Sequence, residues 1–161
     1  MKHFWYLVRH KWFVMIECFK VGLIWRGIVH DLDKFRLEYF VAYDKYQKRK
    51  MFKAQQPEEL YPRTGDRGMN REILRHRKIS PHHWQFYCYG RSEPIAIPDK
   101  YIKEMVCDWK GAAKARGRHD LRGWYLEARD SMILEKQTRW KLDKLMLVYK
   151  FNKKYNGRKK D

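Results

Sequence analysis

Apolar residues recur at helical intervals from the start of the chain. Leu7, His10, Val14, Cys18 and Val21 share one face of a run, 3–20, that holds neither proline nor glycine. This spacing predicts a helix, with His10 on its apolar face. Gly22 interrupts the pattern. A second short helical run covers 23–30 and ends at His30–Asp31, and a third helix, rich in aromatic and basic side chains, is expected over 35–54. QQPEELYPRTGDRG, with two prolines and two glycines, reads as a loop. Asp66 or Asn70 is then a candidate cap for a fourth helix running through His76. ISPHHW opens a fifth helical segment with proline near its first turn, and GRSEPIAIP is a second loop. Pro98 starts a helix to about Gly117, and another covers roughly 120–131. Thr138 is the candidate cap of the last helix, which reads to about Tyr155 with Leu142, Leu145, Met146 and Tyr149 as its buried stripe. No alternating strand pattern or repeat interrupts this series. The expected fold is all-α: a single domain over 1–161 with about seven helices.

Composition narrows the function classes. Hydrophobic residues make up 44% of the 161 residues and seven are tryptophan, which excludes a disordered chain. The formal net charge of +18, from 37 Lys+Arg against 19 Asp+Glu, attracts nucleic acid, nucleotides or an acidic membrane surface. The same charge also serves as a solvated surface. Cys18, Cys88 and Cys107 form no framework of spacings, so reduced thiols in a cytoplasmic protein are expected. Lys2, His3, Arg9, His10 and Lys11 break the N-terminal apolar run, so neither a membrane span nor a signal peptide is expected.

Charge alone leaves the chemistry open; the histidines sharpen it. Five of the seven, His10, His30, His76, His82 and His83, stand in otherwise apolar or tightly patterned stretches, and so do Asp31 and Asp108. Imidazoles and carboxylates facing a bundle core are how helical proteins build metal sites. A mixed nitrogen and oxygen set suits a divalent ion such as Mn, Fe, Co, Ni, Zn or Mg. Each residue has a plainer alternative. A lone buried histidine is usually a hydrogen-bonded core residue. His82–His83 can serve the turn beside Pro81, and Asp108 can pair with an arginine. The ordered series, each member on its own helical segment, is what favours a site.

That order, H…HD…H…HH…D with HDLDK, resembles the HD-domain superfamily of metal-dependent phosphohydrolases. The HDxxK form and the His–His doublet are similar to its cyclic-dinucleotide phosphodiesterases. RHKWFV, HDLDKF, SPHHWQFY, IPDKYIKEMVCDWKGAAKARG, GWY and TRWKLDKL resemble an uncharacterised family of bacteria and their phages, over almost the whole chain. The superfamily resemblance implies an all-helical bundle holding one or two metal ions. His10, His30, Asp31 and Asp108 match its four-ligand core. His76, His82 and His83 match the ligands of a second ion, or grip a phosphate. The spacing departs from the pattern: Asp31 to His76 is long, and His76 to His82 is very short. Lys34, one turn beyond Asp31, is placed to neutralise a phosphoryl oxygen. Glu104, four residues before Asp108, can orient a bound water or a histidine; a salt bridge to a lysine is its alternative. Asp31 would hold the metal and accept a proton from water, and Arg26, Arg75 and Arg77 flank the motifs as candidate phosphate clamps.

The expected function is metal-dependent hydrolysis of a nucleotide or related phosphoester, in the cytoplasm (a host's cytoplasm for a phage-encoded chain). The alternative is a basic nucleic-acid-binding protein with a structural or vestigial metal, its densest basic stretch at 139–160. A membrane-surface binder through that same stretch is the weakest class, and no membrane partner is expected.

Overall fold

The structure, a computed structural model, describes residues 2–49, 67–90, 93–118 and 120–146. It is all-helical. Among the described residues seven α-helices follow one another: α1 (Lys2–Lys20), α2 (Ile24–Val29), α3 (Leu37–Arg49), α4 (Arg67–Ile79), α5 (Asp99–Ala115), α6 (Leu121–Ala128) and α7 (Lys136–Leu145). Short 3-10 turns lie at Leu32–Phe35, Trp84–Tyr87 and Arg129–Ser131. No strand occurs among the described residues.

α5 is the central element. From Glu104 to Trp109 every residue is buried, so neighbours cover it all round rather than along one stripe. On one side it meets α1, where Val14, Cys18 and Cys107 form a small core. On the other, Ile102, Met105, Val106 and Trp109 join Trp84, Tyr125 and Leu142 in the largest apolar cluster. A third cluster, Leu7, Tyr39, Ala42 and Met69, ties α1 to α3 and α4.

Two glycines set the close approach of the three helices that matter most for the site. A Cβ at Gly111 of α5 would collide with the Val14 side chain and stand 2.8 Å from the Val14 backbone nitrogen on α1. One at Gly27 of α2 would stand 2.9 Å from Cys18 Cβ. Glu17 then bridges α1 to α5 through Lys114, at 2.6 Å, while also holding Lys20 at 2.7 Å.

Several sequence expectations shift by local chemistry. Val21 falls beyond α1 and is exposed. Asn70 lies inside α4 rather than capping it; Asp66 lies outside the described residues. Arg67 and Gly68 belong to α4, not to the preceding loop. His82 and His83 sit on a turn after Pro81, with only a 3-10 turn behind them, because Pro81 ends α4 instead of starting a helix. Glu135, not Thr138, caps α7 by accepting from the backbone N–H groups of Gln137 and Thr138. Thr138 is buried one turn in, and its hydroxyl accepts from Ile97 N–H at 3.0 Å. In the α7 stripe Leu142 and Met146 are buried and Leu145 is exposed; Tyr149 and the end drawn at Tyr155 lie outside the described residues. Among the described residues no helix is long and apolar enough to cross a membrane.

α6 and α7 are joined by a charged clamp. Arg129 donates to both Asp143 oxygens, at 2.9 and 2.7 Å, and the Tyr125 hydroxyl donates to Oδ1 at 2.8 Å. Burial alone would raise the Asp143 carboxyl, but these donors outweigh it and hold it below the usual range. Its contribution is therefore complete above the ordinary carboxylate range and is lost as pH falls through the lowered folded value. Asp143→Asn should cost about 1–2 kcal/mol at neutral pH, given partial solvent access, and should flatten the acid limb of the stability curve. Urea unfolding between neutral and acid pH checks this; parallel acid limbs would contradict it.

Candidate metal centre

The chain leaves α2 at His30 and turns sharply. Asp31 has φ 55°, the one positive-φ non-glycine among the described residues. That left-handed conformation is disfavoured for side chains in general and least so for Asp and Asn. Such outliers concentrate at functional sites. The turn is anchored by Lys11 of α1, whose ammonium donates to the carbonyls of Ile28 at 2.6 Å and His30 at 2.9 Å.

The kink places Asp31 between two groups of imidazoles. Its Oδ2 lies 3.3 Å from His10 Nε2 and 3.4 Å from His30 Nε2. Asp108 Oδ1 completes that group, 3.1 Å from His10 Nε2 and 3.4 Å from His30 Nε2. Asp31 Oδ1 faces the other way, 3.3 Å from both His76 Nε2 and His82 Nε2. His83 Nε2 is 2.9 Å from His76 Nε2. Two sets therefore share one carboxylate: His10, His30, Asp31 and Asp108, and Asp31, His76, His82 and His83. Within each set the donor atoms lie within 4.8 Å of one another. Ligands at about 2.0–2.2 Å from one ion stand up to ~4.4 Å apart, so each set needs only a small inward shift to close on a cation.

A ring of supporting groups turns the imidazoles inward. Glu104 is fully buried; its Oε1 is 3.1 Å from His30 Nδ1 and 3.4 Å from His82 Nδ1. Arg26 donates to its Oε2 at 2.6 Å. Asp33 receives His76 Nδ1 at 2.9 Å. Carboxylates that hold Nδ1–H leave the Nε2 lone pairs facing the centre, the arrangement found behind metal-bound histidines. Arg26 and Arg75, candidate phosphate clamps by sequence, are instead engaged with acids: Arg26 with Glu104, Arg75 with Glu72 at 3.4 Å and Asp33 at 3.5 Å. Arg77 is half-buried on α4. Asp33 and Lys11 are the contributors that sequence reasoning missed, and Arg26 takes a different task, behind Glu104, from the one its sequence position suggests. The D-x-D spacing of HDLDK was the one signal for Asp33.

Lys34 points to the ligand side, and its ammonium donates to Asp31 Oδ2 at 2.6 Å. Burial would lower its pKa, but the Asp31 charge outweighs that and raises it, so it is a fixed cation. Burial likewise opposes ionisation of Asp31 and Asp108, yet the neighbouring histidines hold both well below the usual range. Burial depresses His82 and His83, leaving neutral imidazoles. His10 and His30 go the other way: burial is outweighed, for His10 by hydrogen bonds to Asp108 and Asp31 and for His30 first by the Asp31 charge. The two carboxylates thus favour a positive charge at the centre, the charge a cation would supply.

The donor chemistry fits a metal. Of seven buried side-chain nitrogen and oxygen atoms without a hydrogen bond among the described residues, four belong to the cluster: His10 Nδ1, His30 Nε2, Asp31 Oδ1 and His82 Nε2. Three of those four face the shared centre, and leaving such atoms unpaired is costly unless something binds them. The buried His/Asp clusters could hold a metal ion.

No curated protein and no solved structure matches the chain. A family of unknown function, DUF5662, matches residues 1–147. Helices α1 to α7 all fall within that match, the full ligand set with them, and the chain belongs to this family.

Proposed function

We propose that the protein is a metal-dependent phosphohydrolase or phosphodiesterase of HD-domain type, acting on a nucleotide or a related phosphoester with two divalent ions. The observation that carries this is Asp31, whose two oxygens each face a different imidazole group. A single structural ion has no use for a second complete set of ligands on the far side of one carboxylate. His10, His30, Asp31 and Asp108 would hold one ion, and Asp31, His76, His82 and His83 the other. Bound there, divalent ions would acidify a water and polarise a phosphoryl oxygen.

The chain's own groups have separable tasks. Glu104, backed by Arg26, orients His30 and His82; Asp33 orients His76. Asp31 has both oxygens turned to ligand groups, so its task is holding rather than accepting a proton. Lys34 keeps Asp31 ionised and stands beside it with a positive charge for a substrate phosphoryl oxygen. Lys34→Ala should lower kcat/KM by about 10²–10³-fold, the scale of one lost electrostatic contact, while metal content is retained. Phosphate release from a nucleotide panel with Mn²⁺, set against metal analysis of the same samples, measures both. Wild-type turnover in the variant would remove Lys34 from the reaction.

A second reading, nucleic-acid binding around a structural metal, is favoured by a groove on the outer side of α4 lined by Arg67, Arg71, Arg75 and Lys78. The same panel separates the two. Hydrolysis that stops with EDTA supports the enzyme. No cleavage with any of Mn²⁺, Co²⁺, Ni²⁺, Fe²⁺ or Mg²⁺, together with steeply salt-dependent oligonucleotide binding, supports the binder.

A further inference from the structure

α1 has two apolar faces, and only one is used by the core. Leu7, His10, Val14 and Cys18 point inward and are buried. The opposite arc holds Trp5, Val8, Trp12, Met15, Ile16 and Phe19, without one charged residue. At 1.5 Å per residue it runs for about 21 Å along the helix. Trp5 is 61% and Trp12 56% exposed. α2 continues the surface. Gly27 packs on Met15 and Cys18, and the Ile28 carbonyl is bound by Lys11, so α2 lies alongside this arc. Its own outward residues are Ile24, Trp25 and Ile28, with Trp25 at 69%. Val8, Met15 and Ile16 are half-buried between these rings. Isolated exposed apolar residues need no explanation, but Trp5, Trp12, Phe19, Ile24, Trp25 and Ile28 exposed together on neighbouring helices mark a contact surface.

Charge selects the occupant. Residues 1–30 carry five Lys or Arg and a single acid, Glu17. Glu17 is buried and already bound to Lys20 and Lys114. Arg9, exposed, edges the apolar arc, and so does Lys20, which shares the one Glu17 carboxylate with Lys114 and so leaves a net positive charge at that edge. A second copy pressed against this face would bring basic rim to basic rim with no acid to answer it. A nucleic-acid platform needs cations among its rings to follow the phosphates, and the arc has none. Exposed indoles on an uncharged arc with basic edges suit a helix lying in a lipid headgroup layer.

We propose that the outer face of α1 and α2 docks the protein on an anionic lipid surface, with Trp5, Trp12 and Trp25 inserted among the headgroups. This concerns the membrane surface, not a span, and revises the sequence expectation of no membrane partner. It also moves the site from 139–160 to the other end of the chain. His10 is on the opposite face of α1, so docking leaves the metal centre uncovered.

The test uses the full chain and vesicles of phosphatidylcholine with or without phosphatidylglycerol. The wild type should sediment with the anionic vesicles only, weaken as salt rises, and have its tryptophan emission quenched by brominated lipid. The double variant Trp12→Gln, Trp25→Gln should partition at least about tenfold less, with unchanged circular dichroism and metal content. Should that variant not fold, the brominated-lipid quenching of the wild type decides alone. Absence of vesicle binding and quenching overturns the proposal. So does a concentration-dependent dimer, or oligonucleotide binding, that the double variant loses while vesicle binding persists.

Discussion

Asp31→Asn should strip both ions at once. The shared carboxylate is the one ligand common to the two sets. Losing a supporting partner of a metal ligand typically costs about 10–100-fold in affinity, so losing a ligand to two ions should cost at least about 100-fold for each. Asn is the informative replacement because it tolerates the left-handed backbone at this position nearly as well as Asp. Wild-type melting temperature should rise with added Mn²⁺ or Zn²⁺, as for any ligand that binds the native state alone. The variant's should stay flat, and hydrolysis should be lost with it. If the variant takes up both ions with wild-type affinity, Asp31 is not the bridge.

Gly111→Ala should destabilise the fold and loosen the centre from a distance. The added methyl would meet the Val14 side chain, which can shift, and the Val14 backbone nitrogen at 2.8 Å, which cannot. Overpacking of this kind costs about 1–3 kcal/mol. The gain from replacing a helical glycine with alanine is about 1 kcal/mol. The backbone contact puts the cost at the upper end, so a net loss of about 1–2 kcal/mol is expected in urea unfolding. α5 must also move away from α1, which opens the 3.1 Å contact between Asp108 and His10. Metal affinity should therefore fall although no ligand is changed, and Val14→Ala should restore part of the stability by freeing the movable half of the clash. Unchanged stability would mean that α1 and α5 have slack at this crossing.

Much of this site was legible before any coordinates. The period of α1 puts His10 on the buried face, and the structure agrees. The spacing of Glu104 and Asp108 puts both on one face of a helix, and both are buried against the imidazoles. What periodicity cannot carry is the behaviour of short, irregular segments. Proline favours a first turn, so the pattern predicts His82 and His83 on a helix; in the structure Pro81 closes α4 and the doublet is presented from a turn. Thr138 fits a cap by residue type, but an acid three positions earlier takes that task, and the hydroxyl serves Ile97 instead. The supporting shell was hardest to read. Arg26 is 78 positions from Glu104, and Asp33 is 43 from His76. Arg26 and Glu104 lie on helices that both close on α1 at Gly27 and Gly111, and nothing in the local pattern announces that pair; Asp33 is marked only by the D-x-D spacing of HDLDK.

The account stands on the two ligand sets being occupied by metal in the working protein. The most direct measurement is elemental analysis of the chain purified without chelator, joined to calorimetric titration of Mn²⁺ and Zn²⁺ into chelator-treated protein. Two ions per chain are expected, with affinity that falls as pH falls, because protons compete with the metal for the raised His10 and His30 rings. A chain that purifies metal-free and shows no uptake of any divalent ion would contradict it.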